Sequence, residues 1–472
     1  MTGLIKMRIL VLAAVLAGLG LRLFFILHFA SPQTADTGFY TQLARNWLDH
    51  GVYGVWINGK LTPIDMRVPG YPAFLLLMRV FFGASRLAVP VAQVLLDLCT
   101  CLLIAAVASR LAPQASHRRA AIVALWMAAL CPFTANYTAA ILTETLATFL
   151  TALVLLVFLE ADSDSRALQK AGDEEPLSPS NRWFAGGLLV GIATLVRPES
   201  PLIAVAAGLM MLQQWRRREN WPRLARAALL VAVGVVIPVL PWAARNWGTL
   251  HEVQFLAPRY SNLPGETIPR GFYAWTRTWL WRLRDVYLVP WKLEDDTIYI
   301  EDIPKSAFDS PEQREKVGDL LAQHNEDGTE SQAMDDAFAQ IARQRRADHP
   351  LRTRVLMPLL RGLSIWFTPR IELIPYSGDY WPVGDAWEDD RADFCWTAGL
   401  WFLNIVYVIL GLAGLWIARR RPGVALLVLF VLIRTLFFTQ IEAPEPRYTL
   451  ECFPAAIALA AQIWSRRPAM TL

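Results

Sequence analysis

Long apolar runs alternate with short basic clusters along this chain, and the alternation predicts its architecture. A helix needs about 20 mostly apolar residues to cross a bilayer. Runs that meet or approach this length fall at 7–29, 87–110, 120–137, 140–160, 183–197, 199–214, 226–243, 394–417, 423–440 and 448–464. The pattern predicts an all-α integral membrane protein with a bundle of about ten transmembrane helices. A further apolar segment, 71–82, is preceded by Pro69 and Gly70 and carries Pro72 at its start. At about a dozen residues it is too short to span, and is expected as a re-entrant or interfacial helix.

The basic clusters orient the bundle. Lys6 and Arg8, His117-Arg118-Arg119, the charged stretch 161–182, the stretch 215–226, Arg419-Arg420-Arg421 and Ser465-Arg466-Arg467 all fall on one side of this register. The positive-inside rule puts that side, and both termini, in the cytoplasm. The first run continues past Arg22 to Phe29 without a small-x-small cleavage pattern, so it reads as a retained span and not as a signal peptide. The stretch 162–180, rich in Asp, Glu, Ser and Pro, reads as a cytoplasmic linker that cannot bury a core.

The opposite face receives the loop 30–86, a large segment 244–393 and the turn 441–447. Three parts follow: an N-terminal membrane module over 1–243 that includes the first loop, an extracytoplasmic insertion over 244–393, and C-terminal transmembrane helices over 394–472. The insertion carries Trp275, Trp279, Trp281 and Trp291 near its start and an amphipathic, soluble-looking stretch at 308–346.

Composition narrows the classes. With 54% hydrophobic residues in 472, the chain is too apolar for a soluble domain, and its net charge of +4 is small. The basic clusters sit between apolar runs, which is a topology signal and not a nucleic-acid footprint, so no nucleic-acid partner is expected. Cys99, Cys101 and Cys131 lie inside apolar runs and Cys395 and Cys452 at their edges, without zinc or disulfide spacing. His251, His324 and His349 in the insertion form no metal-spacing motif, so a divalent metal ion would need ligands distant in sequence. Asn136-Tyr137-Thr138 matches a glycosylation sequon, a tripeptide common by chance, and is assigned no role.

The chemistry-bearing residues gather after the first span. In 34–51, Phe39, Tyr40, Leu43, Trp47 and Leu48 recur at helical spacing, with Asp36 as the expected N-cap and Gly51 as the stop, which predicts a helix lying on the membrane surface. Asp36 as a cap alone would contribute about 1 kcal/mol. An ionisable group at the mouth of a membrane bundle is also a functional candidate, and the two roles are compatible.

Glu144, Arg197, Glu199, Arg245, Glu442, Glu445 and Arg447 all fall at extracytoplasmic ends of spans in this register. Charges facing lipid are costly, which favours a shared cavity. The competing reading for Arg197 and Arg245 is snorkelling to headgroups. Arg447 fits that less well, because Glu442, Glu445 and Tyr448 surround it in a short turn. Glu144 lies just inside an apolar run, where an unpaired carboxylate is costly, and is expected as a second-site ligand or a partner for Arg67. Asp97, deeper in the second span, reads as a structural hydrogen-bonding group.

Asp36 with Tyr40, Ala44, Leu48 and Gly51, followed by Arg67-Val68-Pro69-Gly70-Tyr71-Pro72, resembles the first extracytoplasmic loop of the GT-C glycosyltransferases. The similarity is to the protein O-mannosyltransferase and aminoarabinose transferase group, of glycosyltransferase family 39 type. It continues through Leu142-Thr143-Glu144-Thr145-Leu146, Arg197-Pro198-Glu199, Pro241-Trp242-Ala243-Ala244-Arg245-Asn246 and Arg447-Tyr448, and does not reach into the insertion. Each motif alone is weak, and their order is the specific part.

The resemblance implies a polyprenyl-phosphate sugar donor and places the catalytic or acceptor-positioning Asp at Asp36. One departure is that the paired acidic residues of that loop are here Asp36 followed by Thr37, which weighs against a metal-bridged mechanism. The charge mixture suits the chemistry: Arg67, Arg197, Arg245 and Arg447, with Tyr448, would hold the donor phosphate. Glu144, Glu199, Glu442 and Glu445 would serve the acceptor or a second site, and Asp36 would take the acceptor proton. The acceptor is expected among proteins, lipids and glycans. The rival reading is a polytopic transporter or lipid-linked-sugar flippase, but transporters show internal repeats and broken helices near the midplane, whereas these charges collect at one face. A noncatalytic scaffold leaves Asp36, Arg67 and Glu144 unexplained.

Overall fold

The computed structural model describes residues 2–29, 34–171, 178–214, 221–260, 262–263, 267–293, 296–328, 331–378 and 383–465. The basic stretch 215–220, part of the expected linker at 172–177, and Arg466-Arg467 lie outside these residues. Five helices are long and apolar enough to cross a membrane: Ile5–His28, Ala88–Leu111, Glu144–Ala167, Trp221–Leu250 and Arg391–Ala418. They make the chain a multi-pass membrane protein.

A sixth span arises if His117–Ala129 and Pro132–Ala139, bent by 52° at their junction, count as one. The bend has a local cause. Cys131 precedes Pro132 and adopts extended backbone at φ −74, ψ 108, because the proline ring disfavours helical geometry one residue upstream. The remaining expected spans are shorter helices, Ser178–Thr194, Leu202–Gln214 and Val424–Phe438. The run 448–464 is a 3-10 segment at Pro446–Cys452, an α-helix at Phe453–Ala460 and a second 3-10 turn at Ala461–Ser465.

The chain divides into two compact units. The first comprises Met1–Ser261, Ile371–Ile433 and Leu450–Leu472. Arg22, fully buried, pins three of its helices: Nε and Nη2 donate to Asp97 Oδ2 at 2.8 and 2.5 Å, and Nη1 donates to Gly18 O and Ala129 O at 2.8 Å each. Asp97 thus has the structural role expected of it. Gln93 is a second polar hub. It accepts from Tyr71 Oη at 2.9 Å and donates to Ala140 O at 2.7 Å and Thr138 O at 3.1 Å, holding the short helix Gly70–Phe82 against the loop that leads to Glu144.

Two expectations for this unit are corrected. Residues 162–171 continue the helix Glu144–Ala171 and are not a linker, because Asp162 pairs with Arg166 one turn on and Asp164 accepts from Arg182 at 2.5 Å. The first loop also holds a β-hairpin, Gly54–Ile57 with Lys60–Pro63, closed by Asn58 at φ 49 and Gly59 at φ 76. Both positive φ values are those of a type I′ turn, which Asn-Gly favours.

The second unit comprises Asn262–Arg370 and Arg434–Thr449. Its core is aromatic: Phe272, Trp275, Trp279 and Phe338 pack with ring centroids 5.2–5.7 Å apart, joined by Leu280, Val286 and Ile341. The amphipathic stretch at 308–346 is two helices, Pro311–Asp327 and Gln332–Asp348, capped by Ser310 and Ser331 and separated at Gly328 (φ 62). Buried Arg345 ties their ends to the rest, donating to Thr278 Oγ1, Gln313 Oε1 and Ser306 O at 2.7–2.9 Å.

Candidate functional site

The first-loop helix runs Ala35–His50 and ends where expected, at Gly51 in left-handed conformation (φ 70). Its N-cap is Thr34, not Asp36: the Thr34 hydroxyl accepts from Thr37 N at 3.1 Å. Asp36 therefore sits inside the first turn with its carboxylate available for another partner. The buried face is Thr37, Leu43, Ala44 and Asn46, and Leu48 is exposed. Thr37, at the position of the second acid in the resembled motif, donates to Ile141 O at 3.3 Å and anchors the helix to the segment before Glu144.

Arg67 reaches Asp36 across the loop. Its Nη2 donates to Asp36 Oδ1 at 3.0 Å, its guanidinium lies 5.5 Å from the Phe39 ring centre, and both side chains keep about a quarter of their surface open (27% and 25%). The backbone around Arg67 is held by Tyr53, whose hydroxyl donates to Arg67 O at 2.9 Å. Arg245 fixes the same loop from the end of the helix Trp221–Leu250: it donates to Tyr53 O at 2.6 Å, Ile64 O at 2.9 Å and Asn246 Oδ1 at 2.9 Å. Its guanidinium also packs over Trp242 at 5.1 Å.

Deeper in the same unit, Arg197 gathers three carboxylates. Nε meets Glu199 at 2.7 Å and Glu451 at 3.3 Å, and Nη1 meets Glu144 at 3.3 Å. Glu144 therefore pairs with Arg197. Glu144 and Glu451 are almost fully enclosed, and Thr151 donates to Glu451 Oε2 at 3.2 Å. Sequence reasoning missed Glu451. It is an isolated carboxylate within the apolar run 448–464, the same signal that singled out Glu144.

Tyr40 stands between the two groups, feeling the charges of Arg67, Asp36, Glu144 and Arg197. Burial pushes its phenol up to about 12, so it remains a neutral O–H donor at physiological pH. Burial likewise raises Asp65 on the same loop above the ordinary carboxylate range, reinforced by Glu252.

Glu442, Glu445, Arg447 and Tyr448 belong to the second unit. There Glu445 takes Arg447 Nε at 2.6 Å and the Tyr448 hydroxyl at 2.6 Å, Tyr448 stacks on Phe438 at 4.5 Å, and Glu442 pairs with Arg277 at 3.5 Å. Among the described residues no three His, Cys, Asp or Glu side chains are grouped so as to hold a metal ion.

Residues 69–242 match the Alg9-like mannosyltransferase family. The match takes in Glu144, Arg197 and Glu199, and stops short of Asp36 and Arg67 on one side and Arg245 on the other. No curated protein matches the chain. Among solved structures, an archaeal oligosaccharyltransferase, AglB from Archaeoglobus fulgidus, in complex with an inhibitory peptide and a dolichol-phosphate, is similar at 11% identity. The similarity covers 97% of this chain and 50% of that one with a TM-score of 0.49. The Archaeoglobus fulgidus oligosaccharyltransferase tethered to an acceptor peptide is similar at 14% identity, covering 97% of this chain and 49% of that one, with a TM-score of 0.48. This chain thus spans about half the length of the structures it matches. The family match bears out the GT-C glycosyltransferase resemblance carried by the sequence motifs.

Proposed function

We propose that the chain transfers a sugar from a polyprenyl-phosphate-linked donor to a hydroxyl or phosphate oxygen of a protein, lipid or glycan acceptor. The reaction runs at the extracytoplasmic face of the inner membrane, with about ten spans and both termini in the cytoplasm. The one-sided basic clusters support that orientation, and the Alg9-like match supports the chemistry.

One observation carries the assignment of roles. Asp36 and Arg67 form a pair open by about a quarter, whereas the carboxylates of Glu144 and Glu451 are 3% and 1% exposed. Only a carboxylate that an acceptor can reach can serve as its base, and Asp36 meets that condition.

In the step proposed, the acceptor oxygen attacks the anomeric carbon from the side opposite the phosphate. Its proton passes to Asp36, the bond from the anomeric carbon to the phosphate oxygen breaks, and polyprenyl phosphate leaves with inversion. As Asp36 is neutralised, Arg67 loses its ionic partner and its guanidinium can turn to the phosphate on which charge is growing. Arg245, spent on backbone carbonyls, supports the loop that presents Arg67. Arg197 with its three carboxylates holds the floor of the site.

Asp36→Asn, assayed with a polyprenyl-phosphate sugar, tests this reading. Loss of transfer with unchanged folding is expected. Retained transfer overturns the role of Asp36, and donor-independent substrate flux favours a transporter.

A further inference from the structure

Within the second unit a cavity of about 290 Å3 is lined by Arg277, Arg346, Arg354 and Arg361 with Thr353 and Gln440. Four arginines line it, and Glu442 pairs with one of them, Arg277, at 3.5 Å. Arg361 is the most constrained: it is 2% exposed and donates to Leu280 O at 2.9 Å, Thr439 O at 3.1 Å and Arg277 O. Carbonyl dipoles satisfy its N–H groups without neutralising its charge. Burial, reinforced by Arg277, pulls its pKa down to about 10, and the same two causes lower Arg346. Arg361 is enclosed at the base of the cluster, Arg277 is part-buried, and Arg346 and Arg354 stand exposed at its edge. An anion stabilises guanidinium groups gathered in this way, and the planar fork of arginine matches phosphate oxygens.

The helix that forms one wall says where the phosphate comes from. It begins with a π-helical turn, Arg352–Leu356, in which Met357 N–H reaches back to Arg352 O, and the wide turn carries Thr353 and Arg354 to the cavity. Such turns are frequent at functional sites. On its other side the same helix leaves Leu351, Val355, Leu359 and Leu363, one every four residues, exposed by half or more, with Leu356 beside them. An apolar stripe on one side and arginines on the other is the pattern of a helix lying in a membrane interface, its apolar side in the acyl region and its basic side at headgroup level.

We infer that this cavity binds the phosphate headgroup of an anionic membrane phospholipid, with the Leu351 to Leu363 stripe seated in the lipid beside it. The site is independent of the transfer chemistry assigned to Asp36.

The test uses the full chain in nanodiscs of phosphatidylcholine with and without phosphatidic acid, reading retained lipid by mass spectrometry. Wild-type protein should retain phosphatidic acid preferentially. Arg346→Gln and Arg354→Gln should each weaken the preference about fivefold, the loss expected for one arginine near a membrane surface. Arg343→Gln, on an exposed side chain outside the cavity, should leave it unchanged, and melting in pure phosphatidylcholine discs should match wild type for all three. Val355→Gln with Leu359→Gln should also reduce retention. No preference for phosphatidic acid, or a preference indifferent to Arg346 and Arg354, overturns the inference. So does arginine-dependent binding of soluble pyrophosphate without any lipid preference.

Discussion

The backbone N–H of Gly70 donates to the carbonyl of Leu195 at 2.5 Å, which clamps the Arg67 loop to the end of the helix that delivers Arg197. A methyl group at Gly70 would strike Leu195 O and C and come within 2.9 Å of Val196 Cγ2, so the two segments would have to part. Gly70→Ala should therefore lower sugar transfer by about a hundredfold through displacement of the Asp36 and Arg67 pair. The stability cost should be about 1–3 kcal/mol. A transfer assay beside a thermal melt checks both, and full activity with unchanged melting would contradict the clamp.

Arg67 should act on turnover more than on donor affinity if its charge is released to the phosphate during the reaction. Arg67→Gln is expected to lower kcat by about 10² or more, the cost of removing one donor to a developing anion, with KM changed little. Arg67→Lys keeps the charge without the fork and should recover part of the loss. Equal effects on KM with kcat intact would point to simple ground-state binding.

Arg197 is the common cation of Glu144, Glu199 and Glu451. Removing it takes a shared cation from three carboxylates, two of them enclosed, so Arg197→Gln should destabilise the protein by about 3–5 kcal/mol. Glu451→Gln, which keeps the shape and removes one of three like charges, should cost markedly less. Thermal unfolding of the two variants in the same detergent decides the order, and an Arg197→Gln melt equal to wild type would show that the cluster does not hold the site.

Much of this arrangement is written locally. Apolar runs become helices because a bilayer leaves backbone groups no other partner, and Asn58-Gly59 carried a readable signal for the hairpin it closes. Capping was less legible, because Thr34, Asp36 and Thr37 compete within four residues and only the hydrogen bond from Thr37 N to Thr34 selects one. The stretch at 162–171 has the composition of a linker, yet pairs at Asp162 and Asp164 carry the helix through it. Partner choice was least legible. That Glu144 meets Arg197 rests on Gly70 and Gln93, which set the loops against one another through contacts with no sequence signature.

In the second unit, Asp309 gives an acid-stability prediction. Burial tends to raise its pKa, but the Arg352 hydrogen bonds at 2.7 and 3.0 Å, with Arg345 at 3.1 Å and His349 at 3.9 Å, hold the carboxyl below its ordinary value of 3.8. A depressed folded pKa contributes stability that is complete above the unfolded value and is lost as pH falls through the folded one. Asp309→Asn should flatten that acid limb below about pH 4 while lowering stability at neutral pH. Melting curves from pH 7 downwards test it, and parallel acid limbs in variant and wild type would contradict it.

Arg22 and Asp97 offer the sharpest separation of structure from function, because both are buried in the helix bundle and pair with one another there. Arg22 satisfies two backbone carbonyls as well as the carboxylate, so Arg22→Leu alone strands Asp97 and should cost about 3–5 kcal/mol. The double variant Arg22→Leu with Asp97→Leu removes both charges and should regain most of that stability, since apolar replacements of buried ion pairs are often neutral or better. Specific activity per folded molecule should match wild type in the double variant. A double variant as unstable as the single one would mean that the bonds from Arg22 to Gly18 and Ala129, and not the charge pair, hold these helices together.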